Sequence, residues 1–137
     1  MNYEVFDTYA IYHQDKGDNK ASGVRPMGID TLIGRNVCNQ NGDDLGNIKE
    51  IMLDIATGSV CYAVLSFGGV LGIGSKFFAV PWYRLKFHTE KKHFVLNVDK
   101  SRLKNAPGFD KKHWPDMADK SWNKKMHSYW NYSTING

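Results

Sequence analysis

Cysteine is scarce in this chain: Cys38 and Cys61 are the only two among 137 residues. Two such thiols exclude a disulfide-dense scaffold, and their spacing is not that of a metal site. Both fall in apparent strands, which predicts buried free thiols in a reducing, cytoplasmic setting. Residues 1–27 lack the apolar stretch that a secretory signal needs. Long hydrophobic runs are missing in substance as well. The 21 residues from Ile55 to Ser75 carry no charge, a length that spans a bilayer. Five of them are glycine, however, and Thr57-Gly58 and Gly68-Gly69 cut the run into strand-sized pieces. The expectation is a soluble protein with no membrane insertion.

What is present suits one small globular domain: 42% of residues are hydrophobic and 23% charged, too apolar a balance for disorder. Charge is uneven. Residues 1–68 hold 5 Lys/Arg against 9 Asp/Glu, and residues 69–137 hold 13 against 5. A basic half admits an anionic partner, although a lysine-rich surface that keeps the protein soluble is the commoner reason for it.

Along the chain, residues 1–27 show no sustained periodicity and read as a loosely held arm. Tyr3, Phe6, Tyr9 and Tyr12 recur every third residue, which leaves a short docking helix as the alternative. Six strands are predicted after it. The first, Arg35–Cys38, turns at Asn41-Gly42 into a second from Leu45 to Asp54. Ile51, Leu53 and Ile55 keep period two there. Ile48 falls out of phase, so a bulge is expected near Lys49-Glu50. The third, Ser59–Phe67, is apolar on both faces: Val60, Tyr62 and Val64 on one, Cys61, Ala63, Leu65 and Phe67 on the other. Its outer face therefore needs a cover. The fourth is Phe77–Val80, with Pro81 as a stop or an edge mark. The fifth and sixth, Tyr83–Thr89 and His93–Val98, flank a charged turn. Short strands separated by regular turns indicate an antiparallel barrel or sandwich. After Val98, residues 99–105 suit a short helix stopped by Pro107-Gly108. Pro115 suits the first turn of a second helix running to about Trp130, with Trp114, Ala118, Trp122, Met126 and Trp130 as its apolar stripe. Residues 131–137 form a tail.

Candidate chemistry is thin. Gly69-Val-Leu-Gly-Ile-Gly74-Ser75-Lys76 has the glycines of a phosphate loop, but Ser precedes Lys and a β-prone segment follows, which argues for a strand connection. Asn39, Asn41, Asp43 and Glu50 have the spacing of a calcium loop, but Asp44 stands where that loop needs glycine. His88 and His93 bracket a turn and, with Glu90, could hold a transition metal weakly; exposed hairpin histidines are the commoner case. No Ser/His/Asp or Cys/His set stands out. The reading is a non-enzyme with no cofactor, no metal and no catalytic residue. The basic residues from Arg84 to Lys112, interleaved with Phe87, Phe94, Phe109 and Trp114, keep nucleic acid open as a partner.

Taken together, Leu32-Ile-Gly34, Asn41-Gly-Asp-Asp-Leu-Gly-Asn-Ile48, Asp54-Ile-Ala-Thr-Gly58, Tyr62-Ala-Val-Leu-Ser-Phe-Gly-Gly69, Leu71-Gly-Ile-Gly74 and Phe78-Ala-Val-Pro-Trp82 resemble the PRC-barrel family. Ala106-Pro-Gly-Phe-Asp110 and Trp114-Pro-Asp-Met117 look like the extension of its stand-alone bacterial members. The resemblance implies a small antiparallel six-stranded β-barrel over residues 28–98, used as an interaction module, with a helical extension over 99–130. That extension packs on its own barrel or on a partner subunit. The family has no shared catalytic motif, so the resemblance carries over no catalytic residue. The expected activity is protein–protein association, most simply as a homodimer. Phe67, Val70, Leu71, Ile73, Trp82 and Trp122 are the expected contact residues. An RNA- or ribosome-associated module using the basic half is the alternative.

Overall fold

The computed structural model describes residues 5–7, 26–68 and 75–131. The elements in chain order are β1 (Val5–Asp7), α1 (Ile29–Leu32), β2 (Asn36–Cys38), β3 (Asp44–Leu53), β4 (Val60–Phe67), β5 (Lys76–Pro81), a 3-10 turn at Trp82–Arg84, β6 (Leu85–His88), β7 (His93–Leu96), α2 (Lys100–Lys104) and α3 (Lys120–Asn131). The six expected strands correspond to β2–β7. They curl as a half-barrel around one core, and β1 adds a short seventh strand beside β6. Within the arm, residues 5–7 are thus extended rather than helical. Residues 1–4 and 8–25 of the arm, including Tyr3, Tyr9 and Tyr12, lie outside the described residues, as does the tail beyond Asn131.

The sheet is mixed, which corrects the antiparallel expectation. Its order is β1-β6-β7-β2-β3-β4-β5, and β2 runs parallel to β7 through Val37–Phe94 and Cys38–Val95. The reason lies at Pro81-Trp82, which reads in sequence as one more reversal. The backbone instead makes a 3-10 turn there, carrying the chain from one sheet edge to the other. In the unrolled sheet β5 and β6 therefore run the same way, and β7 arrives alongside β2 in the same direction.

The bulge in β3 is where Ile48 signals it, with the register against β4 shifting between Ile48 and Glu50. One extra residue in β3 lets both Ile48 and Ile51 point into the core, 1% and 7% exposed. A second shift at Met52/Leu53 breaks the expected continuation: Leu53 is exposed and Ile55, on the turn beyond, is 87% exposed. The same shift turns Val60 toward the core and leaves Cys61 exposed, so the Cys61 thiol is not buried as expected. Cys38 is half-buried, and burial pushes both thiols up from the ordinary range.

Core residues come from every strand of the half-barrel, among them Val37, Leu45, Leu65, Phe78, Phe87 and Leu96, with Leu103 of α2 and Trp130 of α3 closing the open side. The helix α3 begins five residues later than Pro115 suggests. Asp116 and Asp119 accept the backbone N–H groups of Ala118 and Ser121, holding that stretch in turns. Asp119 then caps the helix, its carbonyl accepting from Asn123 N–H. Trp114 is consequently off the helix and packs on Phe77 and Phe109.

The edge of β5 facing away from β4 is covered within the chain. Phe77 exchanges two backbone hydrogen bonds with Phe109, at 2.8 and 2.9 Å. That approach depends on Gly108, where a Cβ would sit 2.8 Å from the Phe77 carbonyl oxygen. The Ala79 carbonyl accepts from Trp130 Nε1–H at 2.9 Å, and Pro81 has no N–H to offer. Such an edge does not recruit a further strand. Among the described residues no helix is long and apolar enough to cross a membrane.

Candidate functional site

Two concavities adjoin on one face of the half-barrel and share Ser66 and Ser75 as a common wall. The first encloses about 440 Å³ and is bounded by Lys49, Phe77, Lys111 and Lys112. The second encloses about 610 Å³ and is bounded by Asn36, Asn47, Phe67, Lys100 and Lys104. Both volumes are of ligand-site size. Together they form a furrow lined by five lysines.

Local structure delivers each of these side chains. Lys49 occupies the β3 bulge, where the inserted residue is expelled outward while its apolar neighbours turn in. Its Nζ lies 5.9 Å from the Phe77 ring centroid, within cation–π range. Lys100 and Lys104 are four apart on α2 and so share a helix face. Lys100 Nζ is likewise 5.9 Å from the Phe67 ring. Lys111 and Lys112 follow Phe109, whose bridge to β5 fixes where that loop starts. Asp110 Oδ1 accepts from Lys112 N–H at 2.9 Å and contacts His113 Nδ1 at 2.8 Å. These bonds, the His113 contact first, hold the Asp110 carboxyl below the usual carboxylate range. Asp44, the other acidic residue of the furrow, accepts from Gly46 N–H. Among the described residues, no carboxylate lies within ion-pair distance of any of the five lysines.

Of the contact residues expected from the sequence, the three that are described, Trp82, Trp122 and Phe67, lie in different places. Trp82 is 3% exposed and packs edge-to-face on Phe94 inside the core. Trp122 is half-buried against Tyr62, where it helps to seat α3. Phe67 is half-buried beside Phe78 and opens on the furrow. Val70, Leu71 and Ile73 lie outside the described residues. Of the basic residues singled out in sequence, Lys100, Lys104, Lys111 and Lys112 line the furrow, whereas Phe87 and Phe94 are core. Lys49 belongs to the acidic half and escaped notice, although the phase slip at Ile48 already implied that a neighbour must point outward.

Other polar groups serve the fold. Asn39 is buried; its Oδ1 accepts from the N–H groups of Asn41 and Asp43, and its Nδ2 donates to Asp43 Oδ2 and to the Val98 carbonyl. With both lone pairs of Oδ1 so engaged, Asn39 is a turn-former rather than the first ligand of a calcium loop. His88 and His93 stack at 5.3 Å across the β6–β7 turn, and His88 Nδ1 accepts from Lys91 N–H. Burial, with His88 and Lys91 adding to it, holds the His93 imidazole below its ordinary range. The Tyr62 hydroxyl donates to Asn123 Oδ1, and burial pushes Tyr62 up to about 12. Tyr83 bonds His127 and Asn131 from the same side, fastening α3 to the sheet. The outer face of β4 is thus covered by the chain's own C-terminal helix, through Tyr62, Ala79 and Met126. No group of three or more His, Cys, Asp or Glu placed to hold a metal occurs among the described residues.

Comparison with curated proteins finds no match to this chain. Comparison with family models finds one, the PRC-barrel domain, over residues 27–103, which takes in α1, all six strands of the half-barrel and most of α2. Fold and family match agree, and the chain belongs to the PRC-barrel family.

Proposed function

We propose that this chain is a non-catalytic interaction module working by protein–protein association, with a second copy as the simplest partner. One contrast carries the reading. The polar groups able to do chemistry, such as Tyr62, Tyr83, His127 and Asn39, are engaged in holding α3 and the turns. Large apolar groups are left at the surface instead, with Ile55 87% and Leu53 and Trp114 each 38% exposed. Leu53 and Ile55 are exposed together at the end of the β3–β4 hairpin, and an association surface that includes both would cover them.

Light scattering after size exclusion, with absorbance at 260 and 280 nm on the same peak, tests this. The expected result is a protein-only dimer that dissociates in Ile55→Asp. A monomer at all accessible concentrations overturns the self-association reading. A nucleic-acid-rich peak that collapses in high salt replaces it with binding of RNA through the basic half.

A further inference from the structure

We propose that the lysine-lined furrow is a docking groove for an extended acidic segment of a partner protein. The proposal rests on the reading of this chain as a protein-interaction module and names the partner chemistry of one surface. Two observations carry it. Five lysines from three separate parts of the chain converge on adjoining concavities: β3, α2 and the loop after Phe109. Among the described residues none of them has a carboxylate partner. The five ammonium groups outnumber the two carboxylates of the furrow and repel one another, so their convergence does not stabilise the fold; an anionic ligand turns that repulsion into attraction.

The furrow's other groups favour a peptide over a nucleic acid strand. Single-stranded nucleic acid needs a row of open aromatic faces on which successive bases stack. Here the aromatic residues lining the concavities are Phe77, 6% exposed, and the half-buried Phe67, which do not make a row of open faces. Asp44 and Asp110 also stand in the walls; they repel either kind of anion and leave the five lysines in excess. Asn36, Asn47, Ser66 and Ser75 supply neutral hydrogen-bonding groups suited to a peptide main chain. Lysines on both sides of the shared Ser66/Ser75 wall call for a ligand long enough to engage both concavities.

The test is fluorescence anisotropy of the full chain with three labelled probes: a ten-residue glutamate peptide, a ten-residue uridine oligonucleotide and a ten-residue Gly/Ser peptide. The expected result is binding of the glutamate peptide alone, weakening steeply with salt. Lys100→Glu/Lys104→Glu and Lys49→Glu/Lys111→Glu should each weaken it by about tenfold or more. The control Lys86→Glu/Lys125→Glu removes as much charge outside the furrow and should weaken it by less than about threefold. Circular dichroism confirms that each variant is folded, and Lys→Gln versions replace any that is not. Equal loss in the control overturns the groove, as does absence of glutamate-peptide binding. Preference for the oligonucleotide overturns the peptide assignment. The outcome is separable from that of light scattering: a monomer that binds the peptide keeps the groove and loses self-association, and a dimer that does not bind it does the reverse.

Discussion

Gly46 shows how much can depend on one absent methyl group. It lies within β3 at φ +102°, and a Cβ there would stand 2.0 Å from the Ser66 carbonyl oxygen. Both the backbone conformation and the space demand glycine, and Asp44 reinforces the geometry by accepting its N–H. Gly46→Ala should cost about 2 kcal/mol or more, read as a lower urea midpoint at unchanged slope. A cost below about 0.5 kcal/mol would mean that β3 and β4 part easily at this point. Little of this was legible beforehand: Gly46 sits in a recognisable turn-and-strand motif, but its close neighbour lies on another strand. Asn39 is similar. Its turn-forming role follows from local spacing, whereas its bond to the Val98 carbonyl joins residues 59 apart and has no local signature.

Among elements, α3 is the most instructive. Trp122, Met126 and Trp130 do form the inward stripe that their spacing predicts, yet the helix starts at Lys120 because two aspartates hold the preceding backbone in turns. Helix periodicity is a signal about faces; the boundary is decided by which acceptor captures each N–H. Trp130 fills the open side of the half-barrel and donates to the β5 edge. Trp130→Phe should cost about 1–3 kcal/mol, chiefly by leaving the buried Ala79 carbonyl unpaired. Trp130→Ala should cost about 3–5 kcal/mol, because a cavity is added. Urea unfolding distinguishes the two, and an unchanged stability in Trp130→Phe would show that the indole N–H contributes nothing. The bulge of β3 was legible because Ile48 broke phase. The second shift was not, since Leu53 and Ile55 continue an apolar alternation that the structure leaves exposed.

For the whole molecule, acid and alkaline limits follow from groups on different elements. His93 and His127 are held below the ordinary imidazole range near 6.5, mainly by burial. Below that pH the unfolded chain takes up protons that the folded chain refuses, so stability falls as pH drops. Cys38, Cys61 and Tyr62 are pushed up, so above pH 9 the unfolded chain releases protons that the folded chain keeps, and stability falls again. Thermal unfolding should therefore show a plateau from about pH 6.5 to 9, with a decline on both sides. A melting temperature that rises between pH 6.5 and 5 would contradict the histidine assignment. The six strands of the half-barrel, their order along the chain and the family were all legible, since alternation and turn residues are local, whereas the added strand β1 was not. Sheet order was not: whether Pro81-Trp82 reverses the chain or carries it across depends on what the far edge offers.

The parallel seam between β2 and β7 has a consequence for the order in which the protein can be made. β2 leaves the ribosome early, but its neighbour on one side is the last strand of the half-barrel. Until His93–Leu96 has emerged, β2 presents a raw edge, and the Asn39 amide awaits a carbonyl not yet synthesised. Native topology is thus withheld from the nascent chain until the last strand of the half-barrel is free to pair, as expected where distant segments must meet. Chains stalled before Leu96 should be strong chaperone clients. Those with Val98 outside the ribosome and Trp130 still inside should hold a formed sheet with an unplugged side, and emergence of α3 should be the step that ends their dependence.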